Sequence, residues 1–307
     1  MNQFQATSET MIANAVQFLK TVYKNTNKKN GLIAVSGGID SAVSLTLLVK
    51  ALGKNNVHAV LLPYDTQDMA DAQTIVQWNQ LPKENIQTIH IKPVVDGVVQ
   101  ALKAAQVQKR TQATQLPADS KKSTESQPAQ VSTDTTIDHY RLGNIMARAR
   151  MIILFDQAKK LDALVCGTEN KSEKYLGYFT RFGDEASDIE PIQGFYKTQI
   201  RELAEHLQLP EVFLKKSPSA GLWKDQTDET ELGFSYQTAD AVFEHLIDEK
   251  SGLLYMKLIE GNRLQEVTQE IHAALPDISP KTIEAVLRRV QSQQFKHEVP
   301  YTTESNY

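Results

Sequence analysis

The chain has 307 residues, 41% of them hydrophobic, which is enough for one large core or for one domain with sizeable additions. Its 33 basic and 37 acidic residues leave a net charge of −4, so no global field draws it to nucleic acid or an anionic membrane, and any phosphate binding has to be local. The single cysteine, Cys166, excludes an internal disulfide and a multi-thiolate zinc site, and suits a reducing compartment. Met1 to Lys20 has no uninterrupted apolar segment of the secretory kind, and no stretch approaches the roughly 18 apolar residues that cross a bilayer. A cytoplasmic protein with no membrane and no nucleic-acid partner is expected.

In chain order, Met11, Ala15, Phe18, Leu19 and Val22 recur at helical spacing and predict an amphipathic helix. Gly31-Leu32-Ile33-Ala34-Val35 reads as a buried strand, and the residues from Ala42 to Val49 continue with helical apolar content. Between them lies Ser36-Gly37-Gly38-Ile39-Asp40-Ser41. Two glycines there permit positive φ and close backbone approach, so that successive N–H groups converge on phosphate oxygens at a helix N-terminus. Asp40 supplies a carboxylate for Mg²⁺. The loop is neither a Gly-x-x-x-x-Gly-Lys-Ser/Thr phosphate loop nor a three-glycine dinucleotide fingerprint.

A second unit follows, with a strand from Val57 to Leu62, a stop at Pro63, and Asp65-Thr66 as the expected cap of a helix through Ala72, Ile75, Val76 and Trp78. Ile86 to Ile91 is the third predicted strand and Val94 to Ala105 the helix after it. Ala104 to Thr136 then breaks the alternation. It has no aromatic residue and few large aliphatics, which predicts a flexible surface insertion over 104–136. Its lysines are diluted by Asp119, Glu125 and Asp134, so it reads as solvated loop rather than as a nucleic-acid contact. A long helix is predicted from Asp138 to Lys160, a fourth strand from Ala163 to Gly167, and an amphipathic helix from Lys197 to Gln208. The C-terminal third reads as helical, with Ser279-Pro280 as cap and first residue of one helix. Alternating strands and helices imply an α/β fold with a doubly wound parallel sheet, flanking helices and a helical C-terminal part.

The Ser-Gly-Gly-x-Asp-Ser loop resembles that of the N-type ATP pyrophosphatases, the PP-loop enzymes of the adenine nucleotide alpha hydrolase-like superfamily, which cut ATP between its α- and β-phosphates. Alone it also admits GMP, asparagine and argininosuccinate synthetases and tRNA-thiolating enzymes. Further motifs narrow the likeness: Asn144-x-x-Ala147-Arg148-x-Arg150, Gly167 to Glu173, Gly177 to Ile192, Tyr196 to Gln199, Pro218 to Trp223 and Gln226 to Gly233. With these the chain resembles the NAD synthetases along nearly all of its length outside the insertion, and 1–307 is read as one synthetase domain.

That resemblance implies a ligase that uses ATP to adenylate the nicotinate carboxylate of deamido-NAD and then ammonia to displace AMP. It implies ATP contacts from Ser36, Gly37, Gly38, Ile39, Asp40, Ser41, Thr168, Lys197 and Ser219, with Asp40, Lys197 and Glu173 as the catalytic charges. Asp40 and Glu173 are the implied Mg²⁺ ligands. Arg148, Arg181, Asp188 and Lys296 match deamido-NAD positions, and a homodimer is implied. The family's usual His-Lys pair is replaced here by Phe295-Lys296, with His297 following. Thirty-five residues before Ser36 leave no room for a glutamine-hydrolysing domain, and Cys166 lies in a predicted strand, so free ammonia, or ammonia delivered by another protein, is the expected nitrogen source. Another adenylating PP-loop synthetase and a non-catalytic nucleotide-binding regulator are the alternatives.

Overall fold

The computed structural model describes residues 7–114, 137–219, 227–248, 252–298 and 300–301. Four strands, β1 (Asn30–Ala34), β2 (Val57–Leu61), β3 (Ile86–Thr88) and β4 (Ala163–Cys166), form one sheet in the order β3-β2-β1-β4. Every pairing is parallel, with Ile33 opposite Ala59 on one side and Cys166 on the other. Leu32 and Ile33 face opposite sides of β1 and are both fully buried, as a sheet covered on both faces requires. The chain runs from β1 to β2 in one direction and returns to β4 on the other side of β1. That reversal opens a crevice beyond the carboxyl ends of β1 and β4, where ligands bind in sheets of this kind.

Helices α1 (Ser8–Thr26), α2 (Ile39–Leu52) and, further on, α7 (Lys197–His206) cover one face of the sheet, packing Leu19, Leu45, Leu48 and Ile200 into a shared core. Next to α2 lies α3 (Ala70–Trp78). The opposite face carries α4 (Lys92–Thr114) and α5 (His139–Leu161), with Val95, Met146 and Leu154 buried against Leu32 and Val60. Beyond β4 come α6 (Lys171–Leu176), α8 (Glu211–Lys215), α9 (Asp228–Leu232), α10 (Tyr236–Phe243), α11 (Leu253–Ile259), α12 (Leu264–Ala274) and α13 (Pro280–Gln293). Residues of α6 and α10–α13 build a separate apolar cluster around Phe243, Leu258, Ile271 and Leu287. Ser279 caps α13 by accepting from Thr282 N at 3.2 Å, and Pro280 is its first residue, as expected.

Three sequence expectations shift. The third strand stops at Thr88, because Ile91 turns into α4: its N–H binds Pro63 O at 3.0 Å while its carbonyl accepts from Val95 N at 3.1 Å. Asp65-Thr66 do not cap α3. That helix starts at Ala70, whose N–H is taken by Asp68 Oδ1 at 2.9 Å. The helix expected to end at Ala105 runs on to Thr114, so the first part of the predicted insertion is helical, and its remainder, 115–136, lies outside the described residues. No helix among the described residues is long and apolar enough to cross a membrane.

Candidate active site

The turn from β1 into α2 is shaped by its glycines. Gly37 has φ +84°, and a Cβ there would come within 3.0 Å of Asp71 Cβ and 3.1 Å of Ala72 N, at the start of α3. Only glycine combines that conformation with that approach. Gly38 is the N-cap of α2 and contributes no side-chain cap, so the first-turn N–H groups of Ile39, Asp40 and Ser41 have neither an intrahelical nor a capping partner. Ser36 Oγ accepts from Gly38 N at 3.2 Å and donates to Ser41 Oγ at 3.2 Å, while Ser41 Oγ donates to Gly38 O at 2.9 Å. The loop is thus held in shape by its own hydroxyls.

Across from it, Lys197 is 2% exposed and forms the centre of a charge cluster. Its Nζ lies 2.6 Å from Asp40 Oδ2 and 2.7 Å from Glu173 Oε1, and sits 5.2 Å over the ring of Tyr236. Burial alone would pull the Lys197 pKa down, but the two carboxylates outweigh it and hold the ammonium firmly protonated. Burial pushes the Glu173 carboxyl up to about 7 against the pull of Lys197, with Asp40 and Asp228 adding repulsion.

Local capping explains how these groups meet. Asn170 is the N-cap of α6: its Oδ1 accepts from Glu173 N at 2.9 Å, and its Nδ2 donates to Asp40 Oδ1 at 2.9 Å. One fully buried amide therefore fixes both acids. The start of α7 is held likewise, since Lys197 N donates to Ser172 Oγ at 2.8 Å and Thr198 N to Asp240 Oδ2 at 2.9 Å, with Ser172 Oγ donating to Asp240 Oδ1. The lysine stem leaves a pinned helix end.

A cavity of about 350 Å³ lies at the crevice. Ser36, Gly38, Ile39, Asp40, Ser41, Thr168, Glu173, Lys197 and Ser219 all line it, bringing the sequence-predicted nucleotide residues together with the exception of Gly37, which shapes the turn from behind. Arg148, Arg181, Asp188 and Lys296 do not line it. Arg148 Nε donates to Arg181 O at 3.2 Å, Asp188 Oδ2 accepts from Val165 N at 2.8 Å, and Lys296 Nζ donates to the carbonyls of Gly177 and Phe179. Cys166 lines the cavity wall but is 2% exposed, and burial drives its thiol pKa well up, so it is no thiolate nucleophile.

Sequence reading missed Asn170, Asp228, Tyr236 and Lys216. Lys216 lines the cavity, pairs with Asp71 and reaches Gly37 O at 3.5 Å. Of the four, Asn170 carried a local signal, since it precedes Lys171-Ser172-Glu173 as a side-chain N-cap. Among the described residues no group of three or more His, Cys, Asp or Glu is arranged as a closed metal cage. Two carboxylates at the mouth of a phosphate-type loop match the one or two protein carboxylates with which Mg²⁺ is ordinarily bound beside substrate phosphates.

A family model described as NAD synthase matches residues 11–300. The NH(3)-dependent NAD(+) synthetase of Pyrococcus furiosus is 34% identical over 298 residues, covering 95% of this chain and 93% of that one. Two solved structures superpose along almost the whole chain. An NMN synthetase from Francisella tularensis has a TM-score of 0.68 at 27% identity, covering 99% of this chain and all of that one. An NH3-dependent NAD synthetase from Campylobacter jejuni has a TM-score of 0.66 at 26% identity, covering 97% of this chain and all of that one. A phosphate-ready loop, a buried lysine between two acids, and a match extending from residue 11 to residue 300 lead to one conclusion: the chain belongs to the NAD synthase family of ATP-dependent, amide-forming ligases.

Proposed function

We propose that the chain makes NAD from deamido-NAD, ATP and ammonia. The observation that carries the reading is the Asp40–Lys197–Glu173 cluster facing the Ser36–Ser41 loop across one cavity. In the first step a nicotinate carboxylate oxygen attacks the α-phosphorus of ATP and pyrophosphate leaves. Like charges approach one another in that step, so fixed positive groups and oriented dipoles lower its barrier. The first-turn N–H groups of α2 and the hydroxyls of Ser36 and Ser41 receive the pyrophosphate oxygens, and Lys197 brings a buried cation to the same place. Gly37 allows the backbone to approach, and Ile39 presents an N–H. Thr168 and Ser219 extend the nucleotide side of the cavity. In the second step ammonia attacks the acyl carbon, AMP leaves, and the nitrogen sheds a proton.

Asp40 and Glu173 would hold Mg²⁺, which would supply positive charge to offset that of the phosphates. Asn170 then keeps both acids in register. Arg148, Arg181, Asp188 and Lys296 are assigned to the deamido-NAD side, through the loop they stitch together rather than through the wall of the described cavity. Free ammonia is the nitrogen source, in keeping with a buried, protonated Cys166. The site of action is the cytoplasm. The working form is a homodimer, a reading supported by the exposed stripe of Val94, Val98 and Leu102 along α4; light scattering that returns the monomer mass at working concentration would remove it.

The Francisella neighbour raises nicotinate mononucleotide as a competing acceptor. The test is purified chain with ATP, Mg²⁺, an ammonium salt and either acceptor. NAD, AMP and pyrophosphate from deamido-NAD are expected. Preferential amidation of the mononucleotide, or release of ADP and phosphate, would overturn the assignment.

A further inference from the structure

β4 lies at the edge of the sheet, so its outward N–H and C=O groups need partners from elsewhere. The segment Ser187–Glu190 supplies them. Asp188 N donates to Val165 O at 2.9 Å, Gly167 N donates to Ile189 O at 2.8 Å, and Cys166 and Ile189 form a single parallel bridge. Where the bridge ends a carboxylate takes over. Glu190 Oε2 accepts from Glu169 N at 3.1 Å, and its Oε1 accepts from Ser187 Oγ at 2.7 Å. A Cβ on Gly167 would lie 1.8 Å from Glu190 Oε1, so this carboxylate occupies the space that the glycine leaves open.

The turn gripped in this way is the one that carries the site. Thr168 lines the cavity, and Asn170 binds Asp40 and caps the helix bearing Glu173. An acid placed beside Glu169, itself only 5% exposed, is an unfavourable neighbour unless its two acceptor contacts are needed.

We propose that Glu190 is a positioning residue for the reaction: its carboxylate clamps the Gly167–Asn170 turn and so sets Thr168, Asn170 and, through Asn170, Asp40 and Glu173 for the nucleotide. This rests on the nucleotide reading of the cavity.

Titration provides a readout that simple packing would not. Glu190 is pushed up to about 7 by burial, against the hydrogen bonds from Ser187 and from the Glu169 backbone, with Lys174 of α6 and Asp184 as further charges facing it. Glu169 and Cys166 are the other titratable groups beside it. Both donors favour the ionised form, so protonation as the pH falls through neutrality loosens the clamp.

Glu190→Gln keeps the size but turns an N–H₂ toward one of the two donors. ATP binding, titrated directly, and the KM for ATP are expected to weaken about tenfold above neutral pH, with KM moving more than kcat. The acid-side loss of ATP affinity expected of the unaltered chain should also disappear. A folded variant with unchanged ATP affinity and an unchanged pH profile overturns the proposal. Should the variant not fold, Ser187→Ala removes one donor and should move the acid limb to higher pH; an unmoved limb overturns it equally. The binding arm keeps the two readings separate, because a chain that binds ATP yet makes no NAD sinks the proposed acceptor while the Glu190 comparison stays readable.

Discussion

The two ends of the site are built on different principles. At the phosphate end the backbone does the shaping: Gly37 supplies the positive φ, Gly38 leaves α2 uncapped, and Asp40, Glu173 and Lys197 converge on the cavity. At the other end the charges are already engaged. Arg181 lies 5.1 Å from the Phe295 ring, Arg148 and Lys296 hold backbone carbonyls, and Asp188 holds a backbone N–H of β4. A ligand at the first end meets groups arranged in advance, whereas one at the second has to compete with internal bonds or use the loop they hold. Substitutions should therefore cost activity at the first end and mostly stability at the second.

Lys197→Met tests that contrast where the effect is largest. The substitution keeps most of the volume and removes the only cation within 4 Å of Asp40 and Glu173 among the described residues. Turnover should fall on the order of 10³-fold, as expected when a fixed stabiliser of transferring charge is lost. Two partly buried acids, each with a side chain 16% exposed, are then left facing each other, which costs up to roughly 3 kcal/mol of stability. The sign with pH follows from Glu173, already raised to about 7 and rising further without the lysine. A carboxyl whose folded pKa is raised lends stability that is complete below its unfolded pKa and is lost as the pH climbs through the folded one. The deficit should accordingly be small near pH 5 and largest at about pH 8. Denaturant melts with equal deficits at both values, or a variant keeping a tenth of its activity, would break the contrast.

How much of this was legible follows the same division. Ser36–Ser41 could be read from local sequence because a strand, two glycines, hydroxyls and an acid specify one backbone conformation. The parallel order of strands and the C-terminal helices were equally open to pattern. Glu173 and Lys197 came only through family resemblance, since nothing local to either says that they meet at one ammonium 24 residues apart. Asn170 and Tyr236 acquire their roles only from tertiary contact. The reading of 104–136 failed at its start for a different reason: missing aromatics report the lack of a core, while Ala, Gln, Lys and Arg remain good helix formers, and the helix runs to Thr114. Asp188 and Lys296 came through the same resemblance, as deamido-NAD positions, and in the folded chain their charges are engaged with backbone groups.

Lys296→Ala sharpens the comparison at its weak end. The ammonium is half-buried, and burial together with Arg289 lowers its pKa, so the charge is held there at some cost and balanced by the carbonyls of Gly177 and Phe179. Those two carbonyls flank Tyr178, whose hydroxyl donates to Glu231 at 2.9 Å and whose side chain lines the cavity. Removing the amine therefore frees the loop before it affects any ligand. A stability loss of about 1–2 kcal/mol is expected, since hydrogen bonds to charged groups contribute roughly 1.5–3 kcal/mol and water enters to replace much of that. The KM for deamido-NAD should rise only about threefold, and the KM for ATP less. A rise of thirtyfold or more in the deamido-NAD KM, with an unchanged melting temperature, would mean that Lys296 leaves its carbonyls to grip the dinucleotide directly. The two ends of the site would then be alike after all, each presenting a cation to its half of the chemistry.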